Sequence, residues 1–173
     1  MTAAQGVPTR MLSKYLRFAL IGGLVILLDQ ISKALVLQYM PLHDAIEIIP
    51  GFFNLSHVRN PGGAFGFMAR HGSMLRHFIF LGAAFFALGM ILYFYHQTPA
   101  DRRWFGAALA MIFGGAIGNL IDRLRFGEVV DFLDVYLGFT NLPHWPTFNI
   151  ADSGVTVGVI IFLLHILFKK VPL

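Results

Sequence analysis

Residues 104–123 read WFGAALAMIFGGAIGNLIDR, and this stretch decides the fold. Its first fifteen positions carry no charged or amide side chain, and Asn119, Asp122 and Arg123 come only at its end. A helix rises about 1.5 Å per residue, so about 20 apolar residues cross the hydrocarbon core of a bilayer. Lipid offers the backbone no other hydrogen-bond partners. The stretch therefore predicts a membrane-spanning helix with one polar end.

Three further apolar runs, at about residues 17–38, 74–95 and 152–168, have a similar length. The whole chain is 57% hydrophobic and 13% charged, about half the charged fraction of soluble domains. We therefore predict an all-α membrane protein with four transmembrane helices in a single domain, residues 1–173. The first run follows a basic stretch, as a signal peptide does, but no small-residue cleavage site comes after it, so we expect it to remain as a span.

The basic residues indicate how the helices are oriented. If the helices alternate, one side holds Arg10, Lys14, Arg17, Arg102, Arg103, Lys169 and Lys170, and the other holds Arg59, Arg70, Arg76, Arg123 and Arg125. Cytoplasmic flanks are enriched in Lys and Arg, so both termini are predicted to be cytoplasmic. The basic residues form no single patch, and binding to nucleic acid is not expected. Cysteine is absent, which excludes disulfides and thiolate chemistry.

The two connections on the outer side, about residues 40–73 and 124–151, are long and rich in aromatic residues. Long loops often carry function. Residues 52–59 are rich in strand formers, and Asn60-Pro61-Gly62-Gly63 follows as a turn. We predict a small β platform on the outer, periplasmic face, built from these two loops. Its aromatic side chains suit the headgroup region.

Polar residues inside the spans require an explanation, because a charged residue at the centre of a span costs about 2.5 to 3.5 kcal/mol. Under the predicted topology six such residues meet near the outer face: Asp29, Lys33, Asn119, Asp122, Arg123 and Asp152. Asp29 and Lys33 are four residues apart, the favoured spacing for an ion pair on one helix face. Two interpretations stay open for this pair. Either the two side chains only neutralise each other's charge, with Lys33 reaching outward, or the pair contacts a substrate.

Small residues predict that the third and fourth helices touch. Gly106, Ala110, Gly114 and Gly118 recur every four residues on the third helix, and Gly154 and Gly158 form a similar pair on the fourth. Stripes of this kind let helices approach closely. The contact would bring residues 119–123 close to residues 148–152. Asn149 is a candidate N-cap there, and Asp152, three residues later, either only caps the helix or also does chemistry.

A second carboxylate, Asp131, interrupts the apolar stretch of residues 129–132. Beside Asp152 it would form a pair that cannot ionise twice cheaply, so that one carboxyl keeps a proton. Such a pair supplies a general acid and a general base. Asp152, at a helix N-terminus, is expected to keep the negative charge, which leaves the proton on Asp131. The triplet Asp152-Ser153-Gly154 also matches the signature of soluble aspartic proteases, but nothing else supports their all-strand fold.

Two rival functions were weighed against hydrolysis by an aspartate pair. A small transporter or proton-coupled channel subunit would also place Asp, Lys and Arg in the membrane. A conduction path needs polar residues along the whole span, however, and the inner halves are apolar. A zinc peptidase would need a His-Glu-x-x-His helix or clustered His, and the sequence has neither.

Five ordered blocks of the chain closely resemble one family, the bacterial lipoprotein signal peptidases or signal peptidase II. The blocks are Asp29-Gln30-Ile31-Ser32-Lys33, Asn60-Pro61-Gly62-Gly63-Ala64-Phe65, Gly114-Gly115-Ala116-Ile117-Gly118-Asn119-Leu120-Ile121-Asp122-Arg123, Val129-Val130-Asp131-Phe132 and Phe148-Asn149-Ile150-Ala151-Asp152. The resemblance extends from the first helix to the fourth.

The resemblance implies an aspartic endopeptidase of the bacterial cytoplasmic (inner) membrane, with its active site on the periplasmic side. Its substrates would be diacylglyceryl-modified prolipoproteins, cut just before the lipidated cysteine, with Asp131 and Asp152 as the catalytic pair. The positions expected to bind substrate or organise the site are Asp29, Lys33, Asn60, Gly62, Ala64, Phe65, Asn119, Asp122, Arg123, Asn149 and Ala151. No cofactor and no metal are expected. The expected partners are the prolipoprotein and membrane lipids, and the expected state is a monomer.

Overall fold

The structure is a computed structural model that describes residues 6–62, 73–136 and 145–168. Its elements follow in the order α1 (Gly6–Tyr39), β1 (Ala45–Ile49), β2 (Phe53–Asn60), α2 (Ser73–Gln97), α3 (Arg103–Phe126), β3 (Val129–Val135) and α4 (Ile150–Phe168). All four helices are long and apolar enough to cross a membrane. The predicted fold, four spanning helices with a small sheet, is confirmed.

Three helices extend beyond the approximate bounds predicted for the spans. Helix α1 begins at Gly6 and not near residue 17, because Lys14 and Arg17 end an apolar run without ending a helix; both residue types are good helix formers. Helix α3 continues to Phe126 and stops at Gly127, whose φ of 78° gives a left-handed C-cap. Helix α4 begins at Ile150, two residues before the predicted start.

The β platform is a three-stranded antiparallel sheet in the order β1-β2-β3. Strand β2 coincides closely with the predicted strand-forming segment, and β3 comes from the second long loop, as predicted. The sheet packs on the end of α1 through a buried cluster of Val36, Met40, Val130 and Phe132. This packing holds β3, which carries Asp131, against the helical bundle.

Helix α3 packs against each of the other three helices, so the predicted contact between α3 and α4 is confirmed. A Cβ on Gly115 would collide with the carbonyl oxygen of Ala151, and one on Gly158 would lie 2.8 Å from the carbonyl oxygen of Ala108. The glycines at both positions therefore let the two backbones approach.

The sequence predicted that the small residues spaced four apart on α3 form one face towards α4, and the structure does not show this. Gly106 lies against the ring of Tyr95, and Gly114 lies against Gly22 of α1. The reason is geometric, because a step of four residues advances about 40° around a helix of 3.6 residues per turn. Over three such steps the stripe turns by about 120° and meets different neighbours.

Candidate active site

Asp131 lies on β3 and is only 2% exposed. Its Oδ1 accepts a hydrogen bond from Asn149 Nδ2 at 2.7 Å, and its Oδ2 accepts one from Asn60 Nδ2 at 2.8 Å. Burial raises the pKa of the Asp131 carboxyl to about 6, and the charge of Asp152 adds to the rise, while the two amide hydrogen bonds oppose it. Asp131 is thus a carboxyl that holds a proton more readily than an exposed one.

Asp152 stands in the first turn of α4 and is half-buried. Its Oδ1 accepts a hydrogen bond from Asn119 Nδ2 at 2.7 Å. It also forms a reciprocal cap with Asn149: the amide of Asp152 donates to Asn149 Oδ1 at 2.9 Å, and the amide of Asn149 donates to Asp152 Oδ2 at 3.3 Å. Asn149 as the N-cap of α4 is therefore confirmed. The cap fixes the carboxylate of Asp152 at the positive end of the helix dipole.

Asn149 joins the two aspartates. Its side chain is fully buried, and its Oδ1 receives the amide of Asp152 while its Nδ2 donates to Asp131. A single amide side chain thus contacts both members of the pair. Because the backbone N–H of Asn149 also donates to Asp152 Oδ2, this one residue contacts both carboxyl groups and holds them in a fixed relation.

The two carboxyl groups differ in their access to the surface. Asp152 lines an open cleft of about 410 Å³ whose other walls are Trp145, Phe148, Ser153, Thr156 and Val157. Asp131 lies behind it, covered by Asn60 and Asn149. One carboxylate therefore faces the place where a peptide and a water molecule would enter, and the other is shielded.

Lys33 is buried among three oxygen atoms. Its Nζ lies 2.9 Å from Asp29 Oδ2, 2.9 Å from Asp122 Oδ2 and 3.0 Å from Asn119 Oδ1. These contacts use all three ammonium hydrogens, and Lys33 is 2% exposed. Of the interpretations left open by the sequence, the Asp29–Lys33 ion pair is present, but Lys33 does not reach outward.

Asp29 and Asp122 each bind the backbone next to a member of the pair. Asp29 Oδ1 accepts the amide hydrogen of Ala151 at 2.9 Å, and Asp122 Oδ2 accepts that of Val130 at 3.0 Å. Ala151 directly precedes Asp152, and Val130 directly precedes Asp131. The buried ions of α1 and α3 therefore position both peptide segments that carry the pair.

The amide of Asn119 extends this network to Asp152. Lys33 can only donate, so Asn119 must turn its Oδ1 towards Lys33 and its Nδ2 towards Asp152. The amide of Gly62 orients Asn60 in the same way, by donating to its Oδ1 at 2.9 Å and leaving Nδ2 for Asp131. Gly62 has a φ of 90°, which favours glycine, and a Cβ there would collide with the ring of Phe80.

Comparison with known proteins places the chain in a family. The model of the family described as "Signal peptidase (SPase) II" matches residues 21–168. The chain belongs to this family. A lipoprotein signal peptidase of Desulforapulum autotrophicum is 51% identical over 156 residues, covering 90% of this chain and 94% of the relative. One of Geobacter sulfurreducens is 46% identical over 139 residues, covering 80% of this chain and 82% of the relative.

Two solved structures share the fold of this chain. A bacterial membrane enzyme determined by the in meso method at 2.3 Å resolution matches with a TM-score of 0.76 and 33% identity, covering 88% of each chain. A second bacterial membrane enzyme, determined by the same method at 1.9 Å resolution, matches with a TM-score of 0.74 and 35% identity, covering 87% of this chain and 92% of the other. The predicted family, the peptidase activity and the processing of prolipoproteins are confirmed.

The structure brings most of the predicted site residues together. Asp29, Lys33, Asn60, Gly62, Asn119, Asp122, Asn149 and Ala151 join the network around Asp131 and Asp152. Arg123 lies at its edge, where Nη1 donates to the Asn119 carbonyl at 3.3 Å and the guanidinium stands 5.4 Å from the ring of Phe80. Ala64 and Phe65 lie outside the described residues.

Gln30 was missed as a site residue. Its Nε2 donates to Asp29 Oδ2 at 3.1 Å and to Asp122 Oδ1 at 3.2 Å, so it contacts both buried carboxylates. The signal was an amide inside a span beside Asp29, of the same kind as Asn119 on α3. Gly118 was predicted only as packing, yet a Cβ there would lie 2.5 Å from Asp29 Oδ2, so its absence leaves room for that carboxylate.

Proposed function

We propose that Asp131 and Asp152 hydrolyse the peptide bond between the signal peptide and the lipid-modified cysteine of a prolipoprotein. The observation that carries the proposal is the pairing of a shielded carboxyl, whose pKa is about 6, with a half-buried carboxylate on an open cleft. Asn149 donates its side-chain amide to the first and its backbone amide to the second. Two carboxyl groups in different environments can divide the roles of acid and base.

In this mechanism Asp152 is the base and Asp131 the acid. Asp152, at the N-terminus of α4, takes a proton from a water molecule in the cleft, and that water attacks the scissile carbonyl. The substrate displaces the Asn60 amide that covers Asp131 Oδ2, and Asp131, protonated, then donates a hydrogen bond to the carbonyl oxygen as negative charge develops there. The tetrahedral intermediate then collapses: the C–N bond breaks, and the proton that Asp152 took from water passes to the leaving amine.

Lys33, Asp29 and Asp122 act as positioning residues in this proposal. Lys33 has no hydrogen left for a substrate, and the two carboxylates bind backbone amides next to the aspartate pair. Misplacement of a reacting group by about 1 Å can cost about 100-fold in rate. A rigid buried ion network is a means of avoiding such misplacement.

We place the site at the periplasmic face of the bacterial inner membrane, with both termini in the cytoplasm. The polar network occupies one end of the bundle, formed by the last part of α1, the last part of α3 and the start of α4. Arg17, Arg102 and Arg103 lie at the opposite end, which suits a cytoplasmic flank. The sheet then forms a platform over the outer surface, and a single chain supplies every group of the proposed mechanism.

The substrate would lie across the cleft beside Asp152. Trp145, Phe148 and Val157 give the cleft apolar walls, which suit an extended peptide whose lipid chains remain in the bilayer. Asn60 and the sheet would cover the peptide from above. Deleting the β1–β2 hairpin is expected to abolish cleavage if the sheet acts as this clamp, and unchanged cleavage would remove the clamp from the proposal.

Cleavage by the purified full chain in detergent tests the function. Two matched precursors would be compared: a diacylglyceryl-modified prolipoprotein, and the same precursor with its cysteine replaced by serine, which cannot be lipidated. The expected result is cleavage of the first just before the lipidated cysteine, identified by mass spectrometry of the product. Equal cleavage of both precursors, or cleavage elsewhere, would contradict the proposal.

A further inference from the structure

A cationic cavity lies at the end of the bundle opposite the aspartate pair. It is open, has a volume of about 600 Å³, and is lined by Ser13, Arg17, Ala100, Asp101 and Arg103. Asp101 forms no ion pair with either arginine within the part of the chain that the structure describes. The proposed hydrolysis uses none of these residues, so the cavity has no role in it.

Lys14 stands behind this cavity as a buried cation without a counter-ion. It is 3% exposed, and it lines the adjoining inner pocket together with Arg17 and Arg103. Its Nζ donates to the carbonyl oxygen of His96 at 3.0 Å and lies 4.9 Å from the ring centre of Tyr95. A buried charge ordinarily has an opposite charge beside it, and no carboxylate contacts Lys14 within the described residues.

The start of α3 adds further positive potential to the same place. Arg102 is the N-cap of α3 and makes no side-chain cap, and the helix has no acidic residue in its first turn. Helix N-termini attract anions, and here the terminus lies among Arg17, Arg103 and Lys14. The cavity, the buried Lys14 and the N-terminus of α3 therefore all favour an anionic ligand.

Trp104 indicates which anion this is. Its side chain is 73% exposed beside Arg103, at the first turn of a spanning helix. Exposed Trp at the end of a span is typical of the headgroup level of a bilayer. We propose that this cavity binds the phosphate of an anionic phospholipid headgroup, with Arg17 and Arg103 as its direct contacts and Lys14 behind them.

Fluorescence quenching of Trp104 tests the site. The chain has two Trp residues, so Trp145→Phe leaves Trp104 as the probe. The fluorescence of Trp104 is measured in two bilayers: brominated phosphatidylglycerol with ordinary phosphatidylcholine, and ordinary phosphatidylglycerol with brominated phosphatidylcholine. The ratio of quenching in the two bilayers gives the preference for the anionic lipid at Trp104. Each cation near a bilayer surface favours anionic lipid by about fivefold, so the two arginines together are expected to give a preference of about 25-fold in this background.

Matched variants separate the site from general attraction. The Arg103 side chain forms no hydrogen bond or ion pair with another described residue. Arg103→Gln is expected to reduce the preference about fivefold, and Arg17→Gln with Arg103→Gln to abolish it. Arg125→Gln removes the same charge from an exposed side chain near the other end of α3 and is expected to leave the preference unchanged. Equal losses for Arg125→Gln and Arg103→Gln would show a diffuse effect and overturn the proposal.

Two further arms complete the test. Loss of the preference on adding millimolar inorganic phosphate would show that the cavity takes a soluble phosphate, which would overturn a lipid as the ligand. The Arg103→Gln variant is expected to cleave prolipoprotein at the normal rate, because the cavity lies away from the aspartate pair. The lipid proposal therefore stands or falls independently of the proposed mechanism.

Discussion

Asp29 accepts the backbone amide hydrogen of Ala151 at 2.9 Å, which joins α1 to the start of α4 across 122 positions of sequence. Asp122 makes the equivalent contact with Val130 at 3.0 Å. Lys33 lies between the two carboxylates, at 2.9 Å from each. One buried lysine thus links the supports of both peptide segments that carry the aspartate pair.

Replacing Asp29 tests whether this support acts on catalysis. Asp29→Leu removes the acceptor for the Ala151 amide, so Asp152 is expected to shift and kcat to fall about 100-fold, while KM changes little. Asp29→Asn keeps an oxygen for the amide and is expected to lose less activity. Steady-state cleavage of a lipid-modified precursor gives both constants.

The control for this prediction is Asp44→Asn, which removes an exposed carboxylate that has no side-chain contact among the described residues. It is expected to behave like the unmodified protein. An Asp29→Leu variant with unchanged kcat would show that the Ala151 hydrogen bond has no part in placing Asp152.

Removing Lys33 is expected to destabilise the protein strongly. Lys33→Met leaves the buried carboxylates Asp29 and Asp122 without their cation, and breaking a buried ion pair in this way costs about 3 to 5 kcal/mol. Adding Asp122→Asn removes one of the two uncompensated charges. The double variant should therefore unfold at a higher temperature than Lys33→Met alone. A double variant that is no more stable than Lys33→Met would contradict this electrostatic account.

The raised pKa of Asp131 predicts a pH-dependent stability difference. In the folded protein burial raises this pKa from its ordinary value of 3.8 to about 6, so between these values the folded state binds more protons than the unfolded state. Stability from this group therefore falls as pH rises from about 4 to about 6, by up to about 3 kcal/mol.

Asp131→Asn cannot titrate at this position and removes the effect. The melting temperature of the variant, relative to the unmodified protein, should rise as pH increases from 4 to 7 and stay level above that range. Thermal unfolding in one detergent across this range measures the difference. A difference that moves in the opposite direction would mean that the Asp131 carboxyl is not the proton-holding group.

Glycine at position 115 is expected to be required for the contact of α3 with the start of α4. In Gly115→Ala the new methyl group would collide with the carbonyl oxygen of Ala151 and displace Asp152. We expect a loss of stability of about 1 to 3 kcal/mol, as for other overpacked sites, together with a large loss of activity. Gly89→Ala, where a Cβ meets nothing within 4 Å, should be neutral or slightly stabilising. Similar effects of the two changes would argue against the close contact.

The sequence predicted features that depend on local spacing. The Asp29–Lys33 pair follows from residues four apart on one helix, and the cap formed by Asn149 and Asp152 follows from residues three apart at a helix start. The four spans follow from hydropathy alone. In each case the determining residues are neighbours along the chain.

Features that depend on tertiary contacts could not be predicted in this way. That Lys33 also binds Asp122 depends on how α1 packs against α3. Strand β1 was missed because all five of its residues are exposed, so no buried face produces an alternating pattern. The glycine stripe of α3 could not be assigned to its neighbours for the same reason. Its small residues recur regularly in the sequence, but in the fold they contact α1, α2 and α4.

The central claim is that Asp131 and Asp152 together perform the hydrolysis, and their asparagine variants test it most directly. Cleavage of a diacylglyceryl-modified prolipoprotein would be measured for Asp131→Asn and Asp152→Asn, with folding checked by thermal unfolding. Asp134→Asn, on the same strand as Asp131, serves as the control. We predict that each dyad variant loses at least about 100-fold in rate, while the control remains active. A folded dyad variant that cleaves at more than about a tenth of the normal rate would contradict the account.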